Sequence, residues 1–148
     1  MTIPELLAPA GNWQALRAAV ENAPALTALC TSTSNGYGRF RPNAMAPQSI
    51  LWGRDNRGAM LRVIGAPGES ATRIENRLGE PAANPYLYMA SQILAGWDGI
   101  ENSLQAPKAT DAPYAESASR LPTTLGEALE HLGHDPVLNQ GLGADFVR

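Results

Sequence analysis

The chain has 148 residues, 44% hydrophobic and 17% charged, with a net charge of −3, which suits one globular domain with a real core. No apolar run approaches the roughly 20 residues of a membrane helix, and the opening residues lack the basic start and long apolar core of a signal peptide, so a cytoplasmic chain without membrane attachment is expected. The negative balance argues against a general nucleic-acid binder. The single cysteine, Cys30, excludes an internal disulfide and reads as a buried apolar thiol rather than a nucleophile.

Twelve prolines and fourteen glycines predict short helices, with much of the backbone in strands and loops. Ile3–Ala8 reads as a short apolar strand closed by Pro9-Ala10-Gly11. Asn12 then caps a helix whose apolar positions, Trp13, Leu16 and Val20, recur at helical spacing to about Asn22. Residues 24–33 form a mostly apolar run that fits either a short helix or a strand. Next comes Asn35-Gly36-Tyr37-Gly38-Arg39, where two glycines allow the backbone close to a ligand or serve a plain turn. Residues 43–48 read as loop, 49–52 as a short strand and 58–64 as a firmer one, rich in β-formers at Leu61, Val63 and Ile64. Arg57 and Arg62 are five apart and would face opposite ways in one regular strand, so both reach one ligand only if the chain turns or bulges near Gly58.

Arg73, Glu75 and Arg77 are spaced by two, which puts them on one face of a strand. A carboxylate between two arginines is either an ion-pair ladder, the reading that spacing favours, or a metal ligand beside a phosphate clamp. Asn84-Pro85 starts a helix with an apolar face of Leu87, Ala90, Ile93, Leu94 and Trp97; the glycines at 96 and 99 are expected to loosen or end it. Tyr86, Tyr88, Met89 and Trp97 are expected in the core. Residues 105–122 read as an irregular surface segment. Thr124 and Glu127 form a capping box ahead of a helical face of Leu125, Ala128, Leu129 and Leu132. Asp135-Pro136 opens a last short helix that ends at the glycines 141 and 143. His131 and His134 are three apart, but Gly133 is expected to break the helix that would pair them on a metal.

Charge gives this order a centre. Between Arg39 and Arg77 lie seven arginines against Asp55, Glu69 and Glu75, a balance of +4, while the rest of the chain carries four basic and eleven acidic residues. The planar guanidinium fork fits phosphate and carboxylate oxygens two at a time, and the chain has one lysine, Lys108. A site for phosphate or carboxylate groups follows, with an exposed solubilising face as the other reading.

Several stretches have the wording of known families. Pro4-Glu5-Leu6-Leu7-Ala8-Pro9-Ala10-Gly11-Asn12 and the helix after it resemble the opening of U32 peptidases over residues 3–23, and the likeness stops there, so no peptidase activity is inferred. Residues 24–148 resemble the glutamine synthetase superfamily. Arg73-Ile74-Glu75-Asn76-Arg77 followed by Ala83-Asn84-Pro85-Tyr86-Leu87 is similar to its I-E-x-R and A-N-P-Y-L signature. Asn56-Arg57-Gly58-Ala59 with Arg62 resembles N-R-S-A and its following arginine, Asn35–Arg39 resembles N-S-Y-K-R, and residues 95–100 resemble A-G-L-D-G-I.

The resemblance implies an α+β fold: the C-terminal part of a synthetase-like catalytic domain, with antiparallel strands and flanking helices, preceded by one β-α unit at 1–23. It implies a ligase that joins ammonia or an amine to the γ-carboxylate of glutamate through a γ-glutamyl phosphate made from ATP with Mg2+ or Mn2+. By the same resemblance Arg39 holds the glutamate carboxylate, Arg57 and Arg62 the nucleotide phosphates, Glu75 a divalent metal, and Arg77 the transferring phosphoryl and glutamate side as the catalytic arginine. The wording departs at Gly36 and Gly58, where the family has Ser, at Gly38, where it has Lys, and at Arg54-Asp55-Asn56, which reads as one residue longer than A-R-N-R. The family's upstream metal carboxylates and histidine-bearing glycine loop are missing. That points to a truncated or mosaic chain, working as a homo-oligomer or with a complementing chain, or else to a non-catalytic nucleotide-binding or assembly module.

Overall fold

The computed structural model describes residues 13–41, 44–65, 69–114 and 118–147. The expected strand at Ile3–Ala8 and its Asn12 cap lie outside these residues. The helix expected after them is α1, Trp13–Glu21, which buries Leu16 and Ala18 and closes an Arg17–Glu21 pair one turn apart. The ambiguous apolar run is helix α2, Ala23–Cys30. Its periodicity is unreadable for a physical reason: Ala23 and every residue from Ala25 to Cys30 are buried, and a helix covered on all sides has no polar face to mark its turn. Thr27 survives there by donating its hydroxyl to Ala23 O at 2.7 Å.

A 3-10 turn, Ser34–Arg39, follows. Three short strands then form one sheet in the order β1, Trp52–Arg54, β2, Leu61–Ile64, and β3, Arg73–Asn76. The fold is α+β as expected, although the sheet is mixed: β2 and β3 are antiparallel, while β1 and β2 are parallel, with Trp52 beside Leu61. Parallel neighbours ordinarily need a long crossover. Here β1 has three residues, a run of roughly 10 Å, and residues 55–60 double back over that distance. Asp55 reverses the chain in the left-handed region at φ 46°, and the Asn56–Ala59 turn closes with Ala59 N donating to Asn56 O at 3.2 Å. The bend expected near Gly58 is this turn. Of the strand expected at 49–52, Ser49 makes only a single bridge, to Arg120.

Helix α3, Pro85–Glu101, begins as expected, with Asn84 Oδ1 accepting from Tyr86 N and Leu87 N. It does not end at its glycines. A Cβ on Gly99 would stand 2.1 Å from Gln14 O, so glycine there admits the backbone of α1, which packs along α3. The expected aromatic core face is also corrected: Tyr86, Met89 and Trp97 are exposed, and α3 buries Ser91, Ala95, Gly96 and Gly99 instead. Small residues let the neighbouring helix approach and leave the large ones outside. Tyr88 is half-buried, its hydroxyl donating to Asn76 O at 3.3 Å.

Helix α4, Leu125–His134, packs on α2, α5, Pro136–Leu142, packs on α3, and α6 is Ala144–Val147. Thr124 caps α4 by accepting from Glu127 N at 3.2 Å. The Glu127 carboxylate reaches back to Thr123, N and Oγ1, rather than to Thr124. Gly133 does not break α4, yet His131 and His134 are both exposed and, among the described residues, no three His, Cys, Asp or Glu gather as a metal site. The core joins Leu16, Leu26, Trp52, Met60, Leu61, Leu78, Leu132 and Leu138. Cys30 belongs to it, and burial pushes its thiol up to about 12, which suits the expected inert role.

Candidate functional site

The arginines divide between two places around β3. The first is a seam where residues 30–39 meet residues 77–80. Thr31 Oγ1 donates to Leu78 O at 2.8 Å and Glu80 N to Cys30 O at 2.9 Å. Arg39 Nη1 donates to Gly79 O at 2.7 Å, while its Nη2 serves Arg77 O at 3.0 Å and Leu78 O at 2.5 Å. In return the Glu80 carboxylate accepts from Thr33 N at 2.9 Å and Thr33 Oγ1 at 3.1 Å, and Thr33 caps the 3-10 turn. One arginine and one glutamate thus stitch two segments in opposite directions. Burial draws the Arg39 guanidinium below its ordinary value, and the Glu80 charge pulls it back up, so it stays a cation.

Sequence reading assigned Glu80 no role. The signal was Gly36, the departure from N-S-Y-K-R: a Cβ there would stand 2.0 Å from Glu80 Oε2 and 2.7 Å from Thr31 Cγ2, so the carboxylate fills the room a serine would need. Gly58, where N-R-S-A has serine, is filled likewise, by Pro113 Cγ at 2.6 Å and the Tyr114 hydroxyl at 2.8 Å from a built Cβ. Nothing lies within 4 Å at Gly38, and the structure does not explain the loss of lysine there.

The second place is the sheet. Arg62 and Glu75 are register partners on β2 and β3, with Arg62 Nη1 donating to Glu75 Oε2 at 3.4 Å. Arg77 Nε stands 4.0 Å from the same oxygen. The ladder favoured by spacing is therefore cross-strand, Arg62–Glu75–Arg77. Arg73 leaves it, donating Nη1 to Ala71 O at 3.0 Å. The other edge of Arg62 is held by Asp55, whose Oδ1 accepts from Nε at 3.1 Å and from Nη2. Arg57 lies exposed in the turn between them and forms no ion pair among the described residues. Arg77 Nη2 donates to Met45 O at 2.9 Å; Met45 is itself in the left-handed region, at φ 54°, uncommon for so bulky a residue.

Among the described residues, two guanidinium nitrogens are buried without a partner, Arg39 Nε and Arg77 Nη1. Buried donors left unmet are costly, and both of these belong to residues that sequence motifs bring to this region. Glu75 supplies one hard carboxylate near two cations. A single carboxylate suits a Mg2+ that arrives on nucleotide phosphates and keeps part of its water shell, so the residues fit a nucleotide-borne ion better than a caged one.

The elements together define an α+β domain whose small sheet carries an arginine-rich edge. The chain belongs to the glutamine synthetase catalytic-domain family, whose model matches residues 15–148. It is 46% identical to a γ-glutamylanilide synthase of an Acinetobacter species over 145 residues, 97% of this chain and 29% of that protein. It is 38% identical to the glutamine synthetase of Archaeoglobus fulgidus over 135 residues, 84% of this chain and 28% of that one. A solved complex of GmaS with ADP matches with a TM-score of 0.77 and 34% identity over 89% of this chain and 32% of that one; unliganded GmaS gives the same TM-score at 36% identity. The chain spans less than a third of the length of these relatives. Synthetase likeness also reaches into residues 3–23, and the U32 peptidase resemblance expected there is not shown.

Proposed function

We propose that this chain carries the C-terminal part of an ATP-dependent ligase site that joins glutamate to ammonia or an amine through a γ-glutamyl phosphate. The observation that carries the proposal is Arg77: its Nη1 is buried and has no partner among the described residues while its Nε stands 4.0 Å from Glu75, so a cationic donor waits beside a metal-competent carboxylate. Phosphoryl transfer asks for charge neutralisation and positioning more than for covalent chemistry. In this reading Arg77 meets the transferring phosphoryl and the glutamate side chain, and Arg57 and Arg62 meet nucleotide phosphates. Arg39 serves the glutamate carboxylate; its Nη donors hold the backbone that carries Arg77, and its Nε has no partner among the described residues. Glu75 would hold Mg2+ or Mn2+, which supplies charge neutralisation at the phosphates when bound.

The likeness to a γ-glutamylanilide synthase favours an amine over ammonia as acceptor. The working form is proposed to be cytoplasmic, in a homo-oligomer or with a complementing chain. No helix among the described residues is long and apolar enough to cross a membrane. The family match beginning at residue 15, inside α1, favours counting α1 with the synthetase domain rather than with a separate unit at 1–23. A second reading, a non-catalytic nucleotide-binding or assembly module, is favoured by Glu75 having no cluster of further ligands among the described residues.

The test is calorimetric titration with ADP, with and without magnesium, on the native chain and on Glu75→Gln. Metal-dependent binding that disappears in the variant is expected, followed by γ-glutamyl transfer to an amine. ADP binding that is indifferent to both metal and Glu75 would point to the module instead.

A further inference from the structure

Arg62 donates from each of its three side-chain nitrogens to a carboxylate. Its Nε and Nη2, the edge of the fork that grips phosphate bidentately, both donate to one oxygen, Asp55 Oδ1, while Nη1 donates to Glu75. The two partners of that edge are held unequally. The Arg62 side chain is 16% exposed and that of Asp55 75%. Arg62 sits within β2, paired on both sides, whereas Asp55 occupies a reversal at φ 46°, a conformation that Asp tolerates without favouring. Asp55 is the partner able to leave. A phosphate group would give Nε and Nη2 an oxygen each, where Asp55 offers one oxygen to both.

We infer that Asp55 is an internal competitor for Arg62: its carboxylate occupies the anion-binding edge and sets the affinity for phosphate groups, which bind by displacing it. This rests on the reading of Arg62 as a phosphate ligand, and it goes beyond that reading by assigning Asp55, which lies in the departure from A-R-N-R, a tuning role. Asp55 acts on affinity through Arg62 and touches no reacting atom, so it is a positioning residue.

The probe is inorganic pyrophosphate, titrated calorimetrically at low salt into the full chain, Asp55→Asn, Arg62→Gln and the double variant. Asparagine keeps the size and the left-handed tolerance of Asp55 and removes its charge. Binding is expected to tighten by up to about five-fold in Asp55→Asn, the upper end for an exposed ion pair released. The gain should vanish in the double variant and shrink at high salt. Unchanged or weaker binding in Asp55→Asn overturns the inference, as does a gain that persists without Arg62, since that would reflect diffuse charge. Absence of pyrophosphate binding in every variant overturns it too. Asp55→Gly, equally at ease at this φ, repeats the measurement should Asp55→Asn fail to fold. The ADP titration of Glu75→Gln separates the two readings: metal-dependent ADP binding with no gain in Asp55→Asn sinks this inference alone, and a gain without ADP binding sinks the ligase reading alone.

Discussion

The seam around Arg39 and the sheet edge around Arg62 use the same residue type to opposite ends. At the seam, both Nη atoms of Arg39 donate to backbone carbonyls of residues 77–79. Those acceptors belong to the fold and have no substitute in solvent once the segments have closed. At the edge, Arg62 donates to two side-chain carboxylates, one of them largely exposed. A carboxylate can be exchanged for another anion at small cost, whereas a buried carbonyl cannot be left unmet. The first arrangement ties backbone to backbone, and the second rests on side chains alone.

Four substitutions would break or sharpen this contrast. Arg39→Gln should cost about 2–3 kcal/mol, because it removes charge-assisted bonds to three carbonyls that remain half-buried; urea unfolding measures it, and a loss no larger than that of Arg62→Gln would erase the distinction. Gly36→Ser, which restores the family's residue, should cost about 1–2 kcal/mol by forcing the Glu80 carboxylate aside. Adding Glu80→Ala should make the double variant less destabilised than the sum of the two singles, and strict additivity would show that the two residues do not share that space. Arg62→Gln should destabilise the chain least of these, a loss that fades with added salt. Its larger consequence should be weaker phosphate binding, and a salt-independent loss of stability would place Arg62 with the seam instead.

Much of this was legible in the residues. Caps at Asn84, Thr124 and Asp135 act locally, through a side chain and amides two or three positions on, and local chemistry needs no tertiary knowledge. The motif wording located the arginine-rich stretch, and spacing put Glu75 near Arg77. Three readings depended on what came from elsewhere. The large residues of α3 were expected inside, but α1 packs against Gly99 and leaves Trp97 out. Arg73 was expected beside Glu75, but the antiparallel register sets Arg62 opposite that carboxylate. Glu80 carried no visible role until Thr33 and Gly36, more than forty residues earlier, folded against it.

By itself, then, the sequence determined where helices start, that the chain is α+β, that positive charge gathers between Arg39 and Arg77, and which family wording surrounds it. These rest on interactions spanning a few residues, on composition or, for the fold class, on the family resemblance. Only the tertiary structure decided which arginine is spent on backbone and which on exchangeable carboxylates. A guanidinium reaches several ångströms in any direction, so its partner depends on which distant segments close around it.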